Sequence, residues 1–320
     1  MMKKISVLFF LLCIGFSENI NAQYTETINA NRPGISQGAF AVGRGVLQLE
    51  AGPYFAKDKH DLTDLESTNF GAEYELRYGL LWENLELNIR GDFMFAKREF
   101  PVGTSMETYT VSNFRTNTFG AKVLVYDPYK RHYFDKPNLY SWKANQKFKW
   151  WKLIPAVSVY AGYNFMPSTR PEGYPFFGGE IANSSAKAAL ITQHNWGGTA
   201  FMMNFIADRI TDDHKRFVAI FTLTQAVGMR STIFAEFETS KDDFYSDELF
   251  RLGGAYLLMP DLQVDISGLI NFKNTPFRWA IGAGVSYRLD FHSKDEKLRD
   301  PDDKGGGEPA DKRPRRLDSR

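Results

Sequence analysis

Between Phe277 and Phe291 every second residue is apolar: Trp279, Ile281, Ala283, Val285, Tyr287, Leu289 and Phe291 alternate with Arg278, Ala280, Gly282, Gly284, Ser286, Arg288 and Asp290. A period of two belongs to an extended strand with one face in apolar surroundings. In a soluble sandwich that face would turn to a protein core. Here the pattern recurs along nearly the whole chain in runs of about ten residues, the length with which a tilted strand crosses a bilayer. The fold class this predicts is all-β, a transmembrane antiparallel up-and-down β-barrel of about 12 strands, an even number as single-chain bacterial barrels require.

The first residues supply the compartment. Lys3 and Lys4 precede an apolar stretch from Ile5 to Phe16, and Asn19-Ile20-Asn21-Ala22 is a polar segment ending on a small residue. That order is an export signal, so residues 1–22 are expected to be cleaved before Gln23. The rival reading, a membrane anchor, needs about 20 apolar residues where this stretch has about 12. Cys13, the sole cysteine, lies inside the apolar stretch behind Leu12 rather than a small residue. The mature chain is thus expected to carry no thiol, disulfide or cysteine metal site. The predicted location is the outer membrane of a Gram-negative bacterium.

A mean hydropathy of −0.36 would suit a soluble protein. Barrel strands hide their lipid face inside alternation, so the mean misses them. The 27 Phe, 15 Tyr and 6 Trp residues fit the aromatic girdles of a membrane barrel. A net charge of +1 gives no case for nucleic acid.

The clearest strands are Gly45 to Phe55, Asn69 to Leu80 and Leu85 to Phe95. Others fit Thr116 to Tyr126, Leu153 to Phe165, Ala186 to His194, Thr199 to Ile206, Phe217 to Val227, Ser231 to Thr239, Leu249 to Leu258, Leu262 to Phe272 and Phe277 to Phe291. With the first strand rising from the periplasm, the short turns at Trp82-Glu83-Asn84, Asn195 to Gly198, Gly228 to Arg230 and Met259-Pro260-Asp261 fall on the periplasmic side. The longer segments Ala56 to Thr68, Ala96 to Arg115, Met166 to Ser185 and Ser240 to Glu248 then read as outer loops. Asp127 to Lys152 is long yet periplasmic in this register. Its Lys- and Trp-rich end, with Trp150 and Trp151, reads either as an interfacial segment or as a concealed strand pair. Trp279, Tyr287 and Phe291 are the expected interfacial aromatics of the last strand.

The domain plan that follows is a signal peptide (1–22), an N-terminal periplasmic or plug segment (23–44), the barrel (45–291) and a polar tail (292–320). The tail is nearly devoid of apolar residues and contains Gly305-Gly306-Gly307. It cannot bury enough surface to fold and reads as a disordered periplasmic end. Its Arg313, Arg315 and Arg316 leave room for a periplasmic partner.

Several short segments resemble one known family. Asn31-Arg32-Pro33-Gly34 and Gly45-Val46-Leu47-Gln48-Leu49-Glu50-Ala51-Gly52 resemble the opening of the outer-membrane barrel family called "meta-pathway of phenol degradation", whose members are mostly labelled transporters. Glu75-Leu76-Arg77-Tyr78-Gly79-Leu80 with Leu85-Glu86-Leu87 is similar to its second hairpin. Phe234-Ala235-Glu236-Phe237, Gly253-Gly254-Ala255-Tyr256-Leu257-Leu258 and Gly282-Ala283-Gly284-Val285-Ser286-Tyr287-Arg288 resemble its closing strands. The resemblance implies a small barrel that admits small, aromatic or apolar, molecules. The insertion at 127–152 and the tail fall outside that pattern.

If the apolar faces meet lipid, Gln48, Glu50, Glu73, Glu75, Arg77, Glu86, Asn88, Arg90, Asp92, Lys122, Glu236, Glu238, Arg251, Asp265 and Arg288 point into the lumen. Charges of both signs in a confined space serve either as a polar conduit or as a salt-bridged filling, and about 12 strands does not decide between them. The mixture lacks the single-sign ring of a strongly ion-selective pore. The expected function is a narrow, substrate-restricted channel, with Tyr174, Phe176 and Phe177 as a candidate constriction loop. The expected partners are outer-membrane lipid, the barrel-assembly machinery and a small solute.

Two rivals from other classes are a structural or adhesive barrel acting through its outer loops and an outer-membrane lipid hydrolase. For the hydrolase, His194 is the one histidine near a strand end, and no serine and orienting partner accompany it in the sequence. No metal motif, phosphate loop or nucleotide fingerprint is present, so no catalytic residue, metal or cofactor is expected.

Overall fold

The structure, a computed structural model, describes residues 28–103, 105–130, 140–141, 150–165, 183–243, 245–273 and 275–291. The expected signal peptide, the constriction-loop residues Tyr174, Phe176 and Phe177, and the polar tail lie outside the described residues. Twelve strands close into one antiparallel barrel in which each strand bonds to its sequence neighbours and β1 to β12. They are β1 (Val46–His60), β2 (Leu65–Gly79), β3 (Leu85–Val102), β4 (Ser105–Tyr126), β5 (Ala156–Phe165) and β6 (Ser184–Trp196), followed by β7 (Thr199–Asp208), β8 (Arg216–Val227), β9 (Ser231–Lys241), β10 (Ser246–Met259), β11 (Leu262–Asn271) and β12 (Phe277–Asp290). Closure satisfies the backbone N–H and C=O groups without water, which is what a bilayer demands.

Every expected strand is present, and several run further than the alternation indicates. The segment Ala56 to Thr68 is not an outer loop, because the β1–β2 ladder continues to His60 opposite Leu65. Ala96 to Arg115 is likewise the upper part of the β3–β4 hairpin, paired as far as Val102 opposite Ser105. Residues 240–241 and 246–248 extend β9 and β10. Beyond the bilayer both faces of a strand meet water, so alternation fades while backbone pairing, which needs only the neighbour's N–H and C=O groups, goes on. A bulge on β4 adds to this, since Asp92 pairs with Thr116 but Phe93 with Phe114, leaving Arg115 as the extra residue. At the other rim, Trp150–Leu153 forms a 3-10 turn and β5 starts only at Ala156.

The outer wall is an apolar band. Leu49, Phe70, Ile89, Phe119, Leu223, Ile233, Ile266 and Ile281 are all exposed, as lipid-facing side chains must be. Exposed Tyr78, Tyr126, Trp196, Tyr256 and Tyr287 mark the rim where β1 begins and β12 ends, and Phe70, Phe95, Tyr163, Phe217 and Phe277 mark the opposite one. Of the other interfacial aromatics, Trp279 packs on Phe55 with ring centroids 5.6 Å apart. Phe291 and Trp150 are exposed, and Trp151 packs edge-on against Tyr129 at 5.8 Å. The Tyr129 hydroxyl accepts a hydrogen bond from the Asn195 N–H at 2.6 Å, which ties the 127–155 connection to β6. Burial pushes that hydroxyl's pKa up, so it stays a neutral phenol.

Candidate functional site

The inward faces of the strands carry the residues that alternation assigned to the lumen. Gln48, Glu50, Glu75, Arg77, Glu86, Asn88, Asp92, Lys122, Glu236, Glu238, Asp265 and Arg288 are buried, and Glu73, Arg90 and Arg251 are partly so. Some of them pair with one another, and many also bond to a segment with no strand at all. Residues 28–44 enter beside the β10–β11 turn, where the Ile28 N–H donates to the Pro260 carbonyl. They rise to mid-height at residues 32–36 and return to the same rim, where the Gly45 N–H donates to Gly79 as β1 begins.

A non-repetitive backbone inside a barrel has N–H and C=O groups that no ladder serves, and each costs free energy if left without a partner. Lumen side chains supply those partners. Glu50 accepts from the N–H groups of Asn31 (3.2 Å) and Arg32 (2.9 Å). Glu236 accepts from those of Ile35 (3.1 Å) and Ser36 (3.2 Å), from the Thr222 hydroxyl (2.9 Å) and from Arg251. Asn204, Gln193 and Glu86 accept from Gln37 (2.7 Å), Ala39 (2.9 Å) and Val42 (2.9 Å). In return Arg90 donates to the Ile35 carbonyl at 2.9 Å, and Lys122 to those of Gly38 and Phe40 at 3.0 and 3.1 Å. Ala39, with no exposed surface, anchors the returning limb against Leu124, Ala156, Tyr160 and Ile191.

Arg32 is the most heavily bonded side chain of this segment. Its Nε and Nη2 donate to the two oxygens of Asp265 at 3.2 and 3.1 Å, Nη1 reaches Glu73 at 3.4 Å, and Nη2 also donates to the Ala283 carbonyl at 3.2 Å. That carbonyl lies at the β1–β12 seam, where the register passes from Ala51 opposite Val285 to Tyr54 opposite Gly282, and where Pro53 has no N–H to offer. The guanidinium lies against the backbone of Gly52 and Gly284, since a Cβ at either position would collide with it. The glycines serve close approach here, not an unusual φ.

A prediction follows from this seat. Gly284→Ala should displace Arg32 without removing any charge, whereas Gly282→Ala meets its nearest atoms at 3.5 Å and should be tolerated. Proteolysis of the folded barrel in detergent, read at a protease site within the segment, should show faster cleavage for Gly284→Ala alone. Equal rates for the two variants would mean that the seat does not hold the segment.

Below Arg32 a second network is fully enclosed. Arg77 donates to both oxygens of Glu86 at 2.9 Å, to Glu50 at 3.2 Å and to the Asn29 carbonyl at 2.8 Å, and Lys122 lies 3.2 Å from Glu86. Nearer the opposite rim, Tyr54 donates to Asp92 at 2.9 Å and Arg115 is paired to the same carboxylate. Between segment and wall, a gap of about 10 Å³ is lined by Asn31, Arg32, Gly34, Glu73, Glu75 and Arg90. It holds about one water at most. His194 sits apart from all of this, stacked on Trp196 at 5.2 Å at the rim where β1 begins. Sequence reasoning did not identify the lumen positions Arg115, Asn204 and Gln193 or the role of Arg32. The quoted Asn31-Arg32-Pro33-Gly34 motif was the available signal for the last.

The fold and the filled polar interior define an outer-membrane β-barrel whose lumen is occupied by its own N-terminal segment. The chain belongs to the family described as "Putative MetA-pathway of phenol degradation", whose model matches residues 30–289. No curated protein sequence matches the chain. Among solved structures it is similar to an outer membrane channel from Pseudomonas putida F1, at 10% identity and a TM-score of 0.50 over 82% of this chain and 100% of that one. It also resembles the translocator domain of the autotransporter NalP from Neisseria meningitidis, at 10% identity and 0.45 over 77% and 89%. The NanC porin aligns at 9% identity and 0.45 over 76% and 100%.

Proposed function

We propose that this protein is a channel for small solutes whose lumen is closed at rest by residues 28–44. The observation that carries the reading is the kind of bond that holds the segment. Its backbone is gripped by side chains of the wall, a set of polar contacts that water or a solute can replace one at a time, rather than by a continuous apolar core. Ile191 and Phe234 flank the segment itself at Ala39 and Gly34, and above it the buried Val218 and Ile220 of β8 stand beside Glu238 and Arg216, so the wall mixes apolar and charged positions. Such a passage suits a solute with an apolar or aromatic body and a polar edge, which is also the class the family description suggests. The mixed charge argues against a general ion pore.

This reading includes no hydrolysis, since the stack of His194 on Trp196 and Phe201 gives the imidazole a packing role. It includes folding by the barrel-assembly machinery and leaves the tail at 292–320 for a periplasmic partner. Conductance in a planar bilayer tests the reading. The mature chain should give rare, brief openings, and a chain lacking residues 23–44 should give steady current that small phenols reduce. Silence from both would overturn it.

A further inference from the structure

We infer that the outer wall of β1–β4 carries a seat for a phosphorylated glycolipid of the outer leaflet. Ladder register sets three successive rows on this face, each two residues or about 7 Å further along the strands. The first is aromatic, with Phe55 opposite Phe70 and Phe70 opposite Phe95. The second carries Lys57 opposite Thr68, Thr68 opposite Lys97 and Lys97 opposite Thr110. The third carries Lys59 opposite Glu66 and Glu66 opposite Glu99. Passing outward from the apolar band, the wall therefore presents rings, then hydroxyls with cations, and only then anions.

A groove of about 370 Å³ crosses the first two rows, lined by Phe70, Phe95 and Ser112 on the membrane side and by Thr68, Lys97 and Thr110 beyond them. This is the size of a small-molecule site. Its apolar end continues the lipid-facing band, so an acyl chain enters it without crossing polar ground. Its polar end lies where a lipid phosphate joins the sugars of its headgroup.

The charges favour a phosphate over a neutral headgroup. Lys57 and Lys59 share one carboxylate, Glu66, at 3.2 and 3.7 Å, and Lys97 meets Glu99 at 2.5 Å, so three cations face two anions. The lysine side chains are 41%, 50% and 55% exposed, and surface pairs of this kind exchange partners at little cost. The Lys57 and Lys97 ammonium groups can turn to a phosphate in their own row. The seat lies on the outer wall, so it stands or falls independently of the gating proposal; it requires only that the rim opposite the start of β1 faces outward.

Native mass spectrometry of the mature barrel in detergent tests this with three added probes: hexa-acylated bisphosphorylated lipid A, the same lipid dephosphorylated, and phosphatidylglycerol. The parent should retain lipid A and bind the dephosphorylated form at least tenfold more weakly. Each lysine near the headgroups is worth about fivefold, so Lys57→Ala with Lys97→Ala should weaken lipid A binding about 25-fold. Lys97→Arg should retain it, and Phe70→Ser should weaken both glycolipids. Equal retention of the two glycolipids by the parent, unchanged binding in the double variant, or equal retention of phosphatidylglycerol would overturn the inference. If the double variant does not fold, as judged by its gel shift without heating, the glycolipid comparison on the parent still decides.

Discussion

An Arg32→Ala barrel should conduct where the intact protein is closed. The substitution removes two bonds to Asp265, the pair with Glu73 and the bond to the Ala283 carbonyl together. It also leaves the Asp265 carboxylate, whose side chain has no exposed surface, without its cation. Breaking one partner of such a buried pair costs about 3–5 kcal/mol. Here that cost falls on the docked segment, because undocking lets water reach Asp265 again. A loss of about 4 kcal/mol shifts the docked-to-undocked ratio roughly a thousandfold. The reading is single-channel open time in planar bilayers. Arg32→Lys should lie between parent and alanine variant, since an ammonium keeps the charge but cannot span both Asp265 oxygens and the seam carbonyl at once. The barrel wall should survive both changes, since Arg32 serves a single backbone carbonyl of the β1–β12 seam, that of Ala283, and the strand-to-strand bonds on either side remain. An alanine variant as quiet as the parent would mean that the other bonds along residues 28–44 suffice to keep the lumen shut.

How far this arrangement is legible in the sequence depends on where the partners lie. The wall is legible because its rule is local: Leu47 and Leu49 face lipid and Gln48 and Glu50 face the lumen on the strength of neighbours two positions away. The rule lapses where the environment becomes symmetric. Lys97, Arg98 and Glu99 are three charged residues in a row yet continue β3, because at that height the outer face has left the acyl chains for polar surroundings. It lapses again at Arg115, where a bulge changes the phase of β4. Residues 28–44 carry no period at all, and their structure is written in residues far along the chain. Arg32 finds Asp265 across 233 positions, and Ile35 finds Glu236 across 201. Alternation could say that Glu50, Glu236 and Asp265 point inward. It could not say that all three meet residues 28–44, Glu50 and Glu236 through backbone N–H groups and Asp265 through the Arg32 guanidinium.

Arg77→Met should cost the barrel more stability than any other single change in its lower half. Arg77 has no exposed surface and gives both oxygens of Glu86 a parallel pair of bonds, the geometry in which a guanidinium binds a carboxylate most firmly. It also serves Glu50 and the Asn29 carbonyl, so one side chain closes the wall network and holds the incoming limb of the segment. Without it Glu86 keeps Lys122 at 3.2 Å and the Val42 N–H at 2.9 Å, but Glu50 loses the guanidinium 3.2 Å away. The expected loss is about 3–5 kcal/mol, measured as the midpoint shift in a reversible urea titration in detergent. Adding Glu50→Gln to Arg77→Met should recover about 1–3 kcal/mol, because the second change removes the charge that the first stranded, while Glu86 keeps Lys122. That recovery separates a coupled network from simple loss of packing, for which the two changes would add. If Arg77→Met shifts stability by less than about 1 kcal/mol, water reaches Glu86 in the folded barrel and the lower lumen is wet. Closure would then rest on the bonds around Arg32 and Glu236 alone.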